Sequence, residues 1–449
     1  MKNILIKSLI AASCLLGAVS CDDFLEQEVP GKFPIEDYYK TDGDAQQAII
    51  AVYDILSAHY NANWASMYMV KTLLSDESNA GGSNDGDQVG YQNLDDFTTD
   101  SQNDKVRDVW AQCYIAIFRA NKAINNLPGS NDLQQRLIAE AKTLRAFAYF
   151  DLVMLWGDVP LVLEDVPPGS YGTTERTPKA QVYDQIEKDL TEAIDVLPLK
   201  SEYGAAEKFR VSRGTAQALL GKVHLFQEEW DEALVQFEAV IASNEYELEN
   251  SMQAVFARQG EFGKESVFEL SFISTEGYDW NNFPWGGKPE SNIHVQLMGP
   301  RSDYYTKAPA DSLIGGWGFN VPKQKLYDAF INTGDVNRRR VTVMSEAELE
   351  AAGGNWSVTN AWDHEGYFQR KYGTFAGNTG GPINELNYGT NFRIIRYADV
   401  LLMAAEAAYR DGDEDQARDY VNDVRTRPGT NLSEISATGA ALFDAIVLE

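Results

Sequence analysis

Tryptophans that lie beside amide side chains are the residues in this sequence best suited to ligand binding. Six of the nine tryptophans lie among Asn, Gly and Pro and not in periodic apolar segments: Trp64, Trp280, Trp285, Trp317, Trp356 and Trp362. The C–H face of a sugar ring packs on an aromatic face, while Asn or Asp pairs with the sugar hydroxyls. This composition therefore points to a carbohydrate site.

The densest of these segments is 279–285, which reads Asp-Trp-Asn-Asn-Phe-Pro-Trp. The predicted ligand contacts in it are Trp280, Asn281, Asn282 and Trp285. Trp64, flanked by Asn61 and Asn63, comes next, and the polar segment 75–91 adds Asn79, Asp85 and Tyr91. The alternative is that each tryptophan only anchors its loop to the scaffold. The glycines around Trp317 favour that alternative for this residue.

Metal chemistry has little support in the sequence. The four histidines form no HExxH motif and have no cysteine partner. The acidic residues Asp76, Glu77, Asp85 and Asp87 offer oxygen ligands for calcium, although solvation is the usual explanation of such a run. Residues 411–415 resemble the start of an EF-hand loop but lack the glycine required at its sixth position. No cofactor is expected, and 411–415 are interpreted as an acidic turn between helices.

Catalytic motifs are also missing from the sequence. It has no GxSxG elbow, no P-loop and no GxGxxG after a strand. Cys113 lies in an apolar helical pattern without a neighbouring His or basic cluster, which predicts a small buried hydrophobe. A catalytic pair of carboxylates, as in a glycosidase, stays an open alternative, because 67 acidic residues bring some carboxylates together by chance. We predict a protein that is not an enzyme.

The charge balance excludes two classes of partner. Lys and Arg number 38 and Asp and Glu 67, which gives a formal net charge of −29. A surface this negative repels nucleic acid and anionic lipid headgroups. The hydrophobic share of 44% is nevertheless enough for a large folded core.

The N-terminus predicts how an acidic chain is held at a membrane. A basic start is followed by an apolar run over 9–19, which is too short to span a bilayer of ~30 Å. Residues 1–20 are therefore read as a signal peptide. Ala18-Val19-Ser20-Cys21 resembles a bacterial lipobox, which makes Cys21 the acylation site that carries palmitate or a similar chain. The alternative is an ordinary secretory signal with an incidental cysteine.

Most of the remaining chain has helical periodicity. Helices are predicted over 44–57, 106–127, 132–156, 179–197 and 440–449, and tetratricopeptide-like helix pairs over 216–241 and 396–427. One such pair cannot bury its own apolar face, so the pairs must stack. The segments 75–101 and 272–389 interrupt the pattern with Gly, Asn and aromatic residues and are expected to be functional loops. The uncapped end at Glu449 suggests a truncated sequence.

Four segments in order resemble the SusD/RagB family of Bacteroidetes outer-membrane lipoproteins. They are the acidic start 21–25, the run 144–161 with its Leu-Trp-Gly-Asp-Val-Pro end, the helix pair 210–230, and the C-terminal segments 396–407 and 422–425. The resemblance implies an all-α fold, a tetratricopeptide-like superhelix with a long irregular insertion. It divides the chain into the signal peptide 1–20, an N-terminal region 21–270, a ligand-binding insertion 271–390 and a C-terminal region 391–449.

The resemblance also implies a function. Family members are non-catalytic surface lipoproteins of the outer membrane that capture oligosaccharide and deliver it to a TonB-dependent, SusC-like transporter. The expected partners are therefore a glycan, that transporter and, through the lipid anchor only, the membrane. Three alternatives stay open: an exported helical glycoside hydrolase or lyase, a peptide-binding member of the same family, and a tetratricopeptide scaffold that binds another protein.

Overall fold

The fold is seen in a computed structural model that describes residues 38–60, 64–285 and 288–449. In chain order the described α-helices are α1 Asp42–His59, α2 Met67–Leu73, α3 Val89–Asp95, α4 Asp104–Asn126, α5 Asp132–Trp156, α6 Lys179–Ile194, α7 Arg213–Phe226, α8 Trp230–Ala242, α9 Met252–Phe256, α10 Ile293–Met298, α11 Gln324–Thr333, α12 Val336–Thr342, α13 Glu346–Ala351, α14 Tyr397–Asp411, α15 Glu414–Arg425 and α16 Ala440–Leu448. The predicted signal peptide and Cys21 lie outside the described residues.

The strands are short and form antiparallel pairs. They are β1 Ser78–Gly81, β2 Ser266–Leu270, β3 Tyr305–Thr306, β4 Phe319–Pro322, β5 Val343–Ser345, β6 Asn355–Trp356, β7 Tyr367–Gln369 and β8 Phe392–Arg396. The pairs are β1 with β4, β2 with β8, β3 with β6 and β5 with β7. Each pair joins segments that are distant in the sequence, so the strands fasten loops to one another and to the helices.

Polar caps set the ends of the long helices. The Thr41 side chain accepts from the amide of Asp44 and begins α1, and the Asn131 side chain accepts from the amide of Gln134 and begins α5. Gly157, at φ 68°, ends α5 after Trp156. The predicted helix over 132–156 is confirmed, and most of its second half is buried.

The long helices stack in one continuous order. Helix α1 packs on α4, α4 on α5, α5 on α6, α6 on α7, α7 on α8, α8 on α14, and α14 on α15. We call these eight helices the helical stack. A Cβ atom at Gly221 of α7 would lie 2.6 Å from the Phe237 ring of α8, so only glycine allows this close approach. Both predicted tetratricopeptide-like pairs are confirmed, as is the all-α superhelical fold.

A long insertion leaves and re-enters the helical stack at one place. Strand β2 ends at Leu270 and pairs with β8, which begins at Phe392, so the intervening residues form one excursion. Irregular loops were expected there. The described residues of this insertion form four short α-helices and five short strands, which were not predicted because elements of two to ten residues are too short to establish a periodicity. For the same reason β1 and α3 lie inside the predicted loop 75–101.

Among the described residues, no helix combines the length and the apolar composition that crossing a bilayer requires.

Candidate functional site

Four tryptophan rings meet on the insertion and the loop before α2. The indole of Trp285 lies 5.9 Å from that of Trp280 at an interplanar angle of 6°, and 5.2 Å from that of Trp64 at 26°. Trp64 in turn lies 5.1 Å from Trp317 at 44°. We call Trp64, Trp280, Trp285 and Trp317 the tryptophan surface. The structure thus brings the predicted site residue Trp64 to Trp280 and Trp285, two predicted site residues that are far from it in the sequence.

The two halves of the tryptophan surface differ in exposure. Trp280 is 47% exposed and Trp285 44%, whereas Trp64 and Trp317 are half-buried. The half-buried pair packs against a small apolar cluster formed by Phe283, Ile293 and Leu386. Single exposed apolar residues are common, whereas a cluster of exposed aromatic rings often marks a recognition site. Trp280 and Trp285 are therefore the rings best placed to contact a ligand.

An Asx-type turn places the two exposed rings. The Asp279 carboxylate accepts from the amides of Asn281 at 2.7 Å and Asn282 at 3.1 Å, and the Asn282 side chain accepts from the amide of Asp279 at 2.6 Å. Asn281 and Asn282 are both exposed. Asn281 and Asn282, the predicted amide contacts, therefore lie between Trp280 and Trp285 in the sequence. The Asn282 side chain also stabilises the turn.

Two contacts fix the ends of this loop. Asn387 donates to the carbonyl of Tyr278 at 2.8 Å and accepts from its amide at 2.9 Å. At the other end the Lys288 ammonium lies 2.9 Å from the Asp54 carboxylate of α1. Burial would raise the pKa of Asp54, but Arg119 and Lys288 outweigh it and lower the pKa. The loop is thus tied both to the insertion and to the helical stack.

Trp64 is held in an unusual backbone conformation. Its φ is +60°, a left-handed value that a bulky residue rarely adopts. The Tyr91 hydroxyl donates to the Trp64 carbonyl at 2.6 Å, and the Tyr91 ring is fully buried in α3. Tyr91 was predicted as a ligand contact, but its burial makes it a support beneath Trp64. Helix α3 was not predicted from the sequence, and neither was this burial.

Trp317 was predicted to anchor its loop, and its ring also contacts the ring of Trp64. Gly316 explains its position: a Cβ atom there would lie 2.6 Å from both the Gln296 carbonyl oxygen and the Gly299 Cα. This close approach lets the amide of Trp317 donate to the Gln296 carbonyl at 2.9 Å. The glycines around Trp317 were interpreted as a sign of anchoring, and they also allow its ring to contact the ring of Trp64.

The remaining predicted residues lie elsewhere. Asn79 of β1 donates to the carbonyl of Asp363 at 2.9 Å, and Asp85 lies in an exposed turn. Beside this region is a third exposed indole, Trp362, which is 40% exposed and donates to Gln92 at 3.1 Å. Trp356 is 6% exposed and belongs to an apolar cluster of the insertion, which matches the anchoring alternative.

Glu276 and Glu290 place two carboxylates near the ends of the loop that carries Trp280 and Trp285, beside the pair of Asp54 with Lys288. Burial, and then the carboxylates of Asp54 and Glu276, raise the pKa of Glu290 near the end of the loop. Carboxylates accept hydrogen bonds from neutral sugar hydroxyls and repel anionic groups. The surface is suited to neutral ligands.

One buried set of side chains resembles a nucleophilic triad. Cys113 Sγ lies 3.6 Å from His59 Nε2, and that same nitrogen lies 3.2 Å from the Asp151 carboxylate. A triad needs the nucleophile and the acid on opposite ring nitrogens. Burial, and then the Asp151 carboxylate, raise the pKa of the Cys113 thiol well above its usual value. Cys113 is fully buried, which confirms its prediction as a small hydrophobe.

A helical superhelix with an exposed aromatic surface on a loop insertion defines a class of binding proteins. The chain belongs to the SusD family: residues 23–225 match the family described as "Starch-binding associating with outer membrane", and residues 264–449 match the SusD family itself. The family resemblance seen in the sequence is confirmed. So is the expectation that the chain is not an enzyme.

Several known proteins are similar over most of their length. A solved laminarin-binding SusD-like protein is 31% identical with a TM-score of 0.81, over 91% of this chain and 89% of that chain. Surface glycan-binding protein A from Bacteroides fluxus is 25% identical with a TM-score of 0.78, over 91% and 85%. SusD-like protein P2 of Formosa agariphila is 29% identical over 92% of this chain and 79% of its own.

Proposed function

We propose that this protein captures a neutral oligosaccharide on the tryptophan surface at the outer face of the outer membrane. In this proposal it delivers the glycan to a partner TonB-dependent transporter. The observation that carries the proposal is the exposed, nearly parallel pair of Trp280 and Trp285, which stands on a loop fastened to the helical stack. Two adjacent indole rings that are nearly half exposed present apolar area on which sugar rings can pack at little entropic cost.

The choice among glycans rests on charge and on similarity. The net charge of −29 and the acidic neighbours of the loop disfavour sulfated or uronic-acid polymers. The 31% identical solved protein is described as laminarin-binding. Laminarin, a neutral β-glucan, is therefore the first ligand to test.

The proposal is tested by electrophoresis of the purified protein in native gels that contain laminarin. We expect retardation of the unmodified protein and its loss in the Trp280→Ala/Trp285→Ala double variant. Truncation of a central aromatic contact costs about 2 kcal/mol, or roughly thirtyfold in affinity. Both rings are nearly half exposed, so the double variant should stay folded and should lose only about 1–2 kcal/mol in the free energy of unfolding, from the lost ring contacts with Trp64 and Phe283.

Trp362→Ala is the matched control, because Trp362 has similar exposure but lies outside the tryptophan surface. It should leave retardation unchanged. If the double variant is retarded as strongly as the unmodified protein, Trp280 and Trp285 are not the site. Gels with other neutral glycans and with oligopeptides separate the glycan proposal from the peptide-binding alternative.

Lipid anchoring and the transporter partner form the second part of the proposal. The sequence around Cys21 and the family's association with the outer membrane support it. In the native cell, Cys21→Ser should release the protein from the outer-membrane fraction, and protease added to intact cells should remove the unmodified protein. Purification from detergent-solubilised membranes should recover a TonB-dependent transporter. A protein that stays in the membrane after Cys21→Ser would contradict the anchor.

A further inference from the structure

Three metal-ligating side chains converge where α6 meets the turn between α7 and α8. Glu187 is on α6, His224 is in the last turn of α7, and Glu229 directly precedes α8. One ligand atom from each lies within 4.8 Å of the other two. The sequence did not predict this group, because Glu187 is remote in the chain from His224 and Glu229.

The backbone of the turn places two of these ligands. Glu228 adopts φ +63°, and the amide of Glu229 donates back to the His224 carbonyl at 3.0 Å. This turn directs the Glu229 carboxylate at the imidazole, where its oxygen lies 2.6 Å from His224 Nδ1. The two ligands are therefore oriented by the end of α7 itself.

The third ligand is oriented by a neighbour. The Gln227 side chain donates to the Glu187 carboxylate at 2.6 Å. Ligating carboxylates in metal sites are commonly held by such an outer hydrogen bond. The His224 side chain is 12% exposed and that of Glu229 is 42% exposed, so the group is open to an ion from solvent on one side.

We propose that Glu187, His224 and Glu229 bind one divalent transition-metal ion, of which Zn²⁺ is the representative. One imidazole nitrogen and two carboxylate oxygens form a mixed ligand set that suits Zn²⁺ better than Ca²⁺ or Mg²⁺. Bonds of about 2.0–2.2 Å hold ligand atoms up to roughly 4.4 Å apart, so the group closes on an ion after small side-chain movements. The ion would join α6 to the α7–α8 turn.

The site is tested by calorimetric titration of the purified, tag-free protein with ZnCl₂ in excess Mg²⁺. Excess Mg²⁺ screens the nonspecific attraction of Zn²⁺ to a chain with a formal net charge of −29. We expect one Zn²⁺ per chain. His224→Gln and Glu187→Gln should each lower the Zn²⁺ affinity by more than about tenfold, and Gln227→Ala by about tenfold.

Glu232→Gln is the control, because Glu232 is an exposed carboxylate of α8 outside the group. It should leave Zn²⁺ binding unchanged. Gln227→Ala removes no metal ligand. Its effect on Zn²⁺ affinity therefore still tests the site if a ligand variant also lowers the melting temperature. Laminarin retardation should be the same in all variants, which separates this site from the glycan proposal.

Two outcomes would overturn the metal site. The first is the absence of saturable Zn²⁺ binding in excess Mg²⁺. The second is binding by His224→Gln with the stoichiometry and affinity of the unmodified protein. Either result would reduce the group to a hydrogen-bonded helix end, in which Glu229 only pairs with His224.

Discussion

The helical stack and the loop of the insertion that carries the exposed tryptophans use polar and aromatic side chains differently. In the stack, charged groups are buried and paired: Arg145 of α5 makes two bonds of 2.8 and 2.7 Å to Asp189 of α6, and both are at most 5% exposed. In the insertion, Trp280 and Trp285 are nearly half exposed. Its loops are held by hydrogen bonds to backbone groups, such as those of Asn387 to Tyr278.

This difference distinguishes residues that only resemble a catalytic site from residues that can bind a ligand. Cys113, His59 and Asp151 carry reactive groups, but they are buried in the stack, where they contact one another and Asp151 also pairs with Lys71. The tryptophans carry no reactive group, yet Trp280 and Trp285 expose nearly half of their surface to solvent. Exposure of a positioned surface, more than the residue types alone, therefore marks the candidate site.

The largest expected effect comes from breaking a buried ion pair of the stack. Arg145→Met leaves the Asp189 carboxylate buried without its cation, which should lower the free energy of unfolding by about 3–5 kcal/mol. Urea denaturation measures it. Lys142→Met on the same helix breaks a pair with Glu192 that is partly exposed, and should cost about 1 kcal/mol or less. Equal losses in the two variants would contradict the comparison.

The next effect is a pH dependence that arises within the stack. Burial would raise the pKa of Asp151, but Lys71 and His59 outweigh it and lower the pKa. A lowered folded-state pKa gives stability that is present above the unfolded value of about 3.9 and is lost as the pH falls further.

Asp151→Asn cannot ionise, so the acid-induced loss of stability should be smaller in this variant. At pH 7 the variant should lose about 2 kcal/mol, because Lys71 and His59 lose a charged partner. Urea midpoints between about pH 2 and pH 7 measure both effects. The same slope in both proteins would show that Asp151 does not contribute to it.

A smaller effect tests how the scaffold supports the tryptophan surface. Tyr91→Phe removes the hydrogen bond to the Trp64 carbonyl, which should cost about 1 kcal/mol in stability and weaken laminarin binding severalfold as Trp64 relaxes from φ +60°. Tyr388→Phe is the control, because Tyr388 is equally buried and its hydroxyl has no hydrogen-bond partner among the described residues. If both variants bind laminarin equally well, Tyr91 does not position Trp64.

The smallest expected effect concerns the link between the two regions. Lys288→Met breaks the ion pair with Asp54 of α1, and both side chains are about one-third exposed. Such pairs contribute about 0.5 kcal/mol, so laminarin affinity should fall by less than about threefold. Calorimetry with laminarin measures this change. A loss as large as that of the Trp280→Ala/Trp285→Ala variant would mean that this pair, and not the Asp279 turn, holds the loop.

The helical stack was predictable because helical periodicity is a local property of the chain. Apolar residues three and four apart predicted the α5 segment over 132–156 with its observed ends, and small residues such as Gly221 predicted the close helix pairs. Composition alone selected Trp280, Trp285 and Trp64, since tryptophan beside Asn is uncommon in a buried helix. Sequence therefore determined the scaffold and most of the exposed aromatic surface.

Only the tertiary structure decided which distant residues meet. The pairing of β2 with β8 returns the insertion to the stack and brings Trp317 under Trp64, and the burial of α3 turns Tyr91 from a contact into a support. The stacking of α6 on α7 likewise brings Glu187 to His224. Contacts between segments far apart in the chain depend on packing of the whole molecule, and no local pattern of residues encodes them.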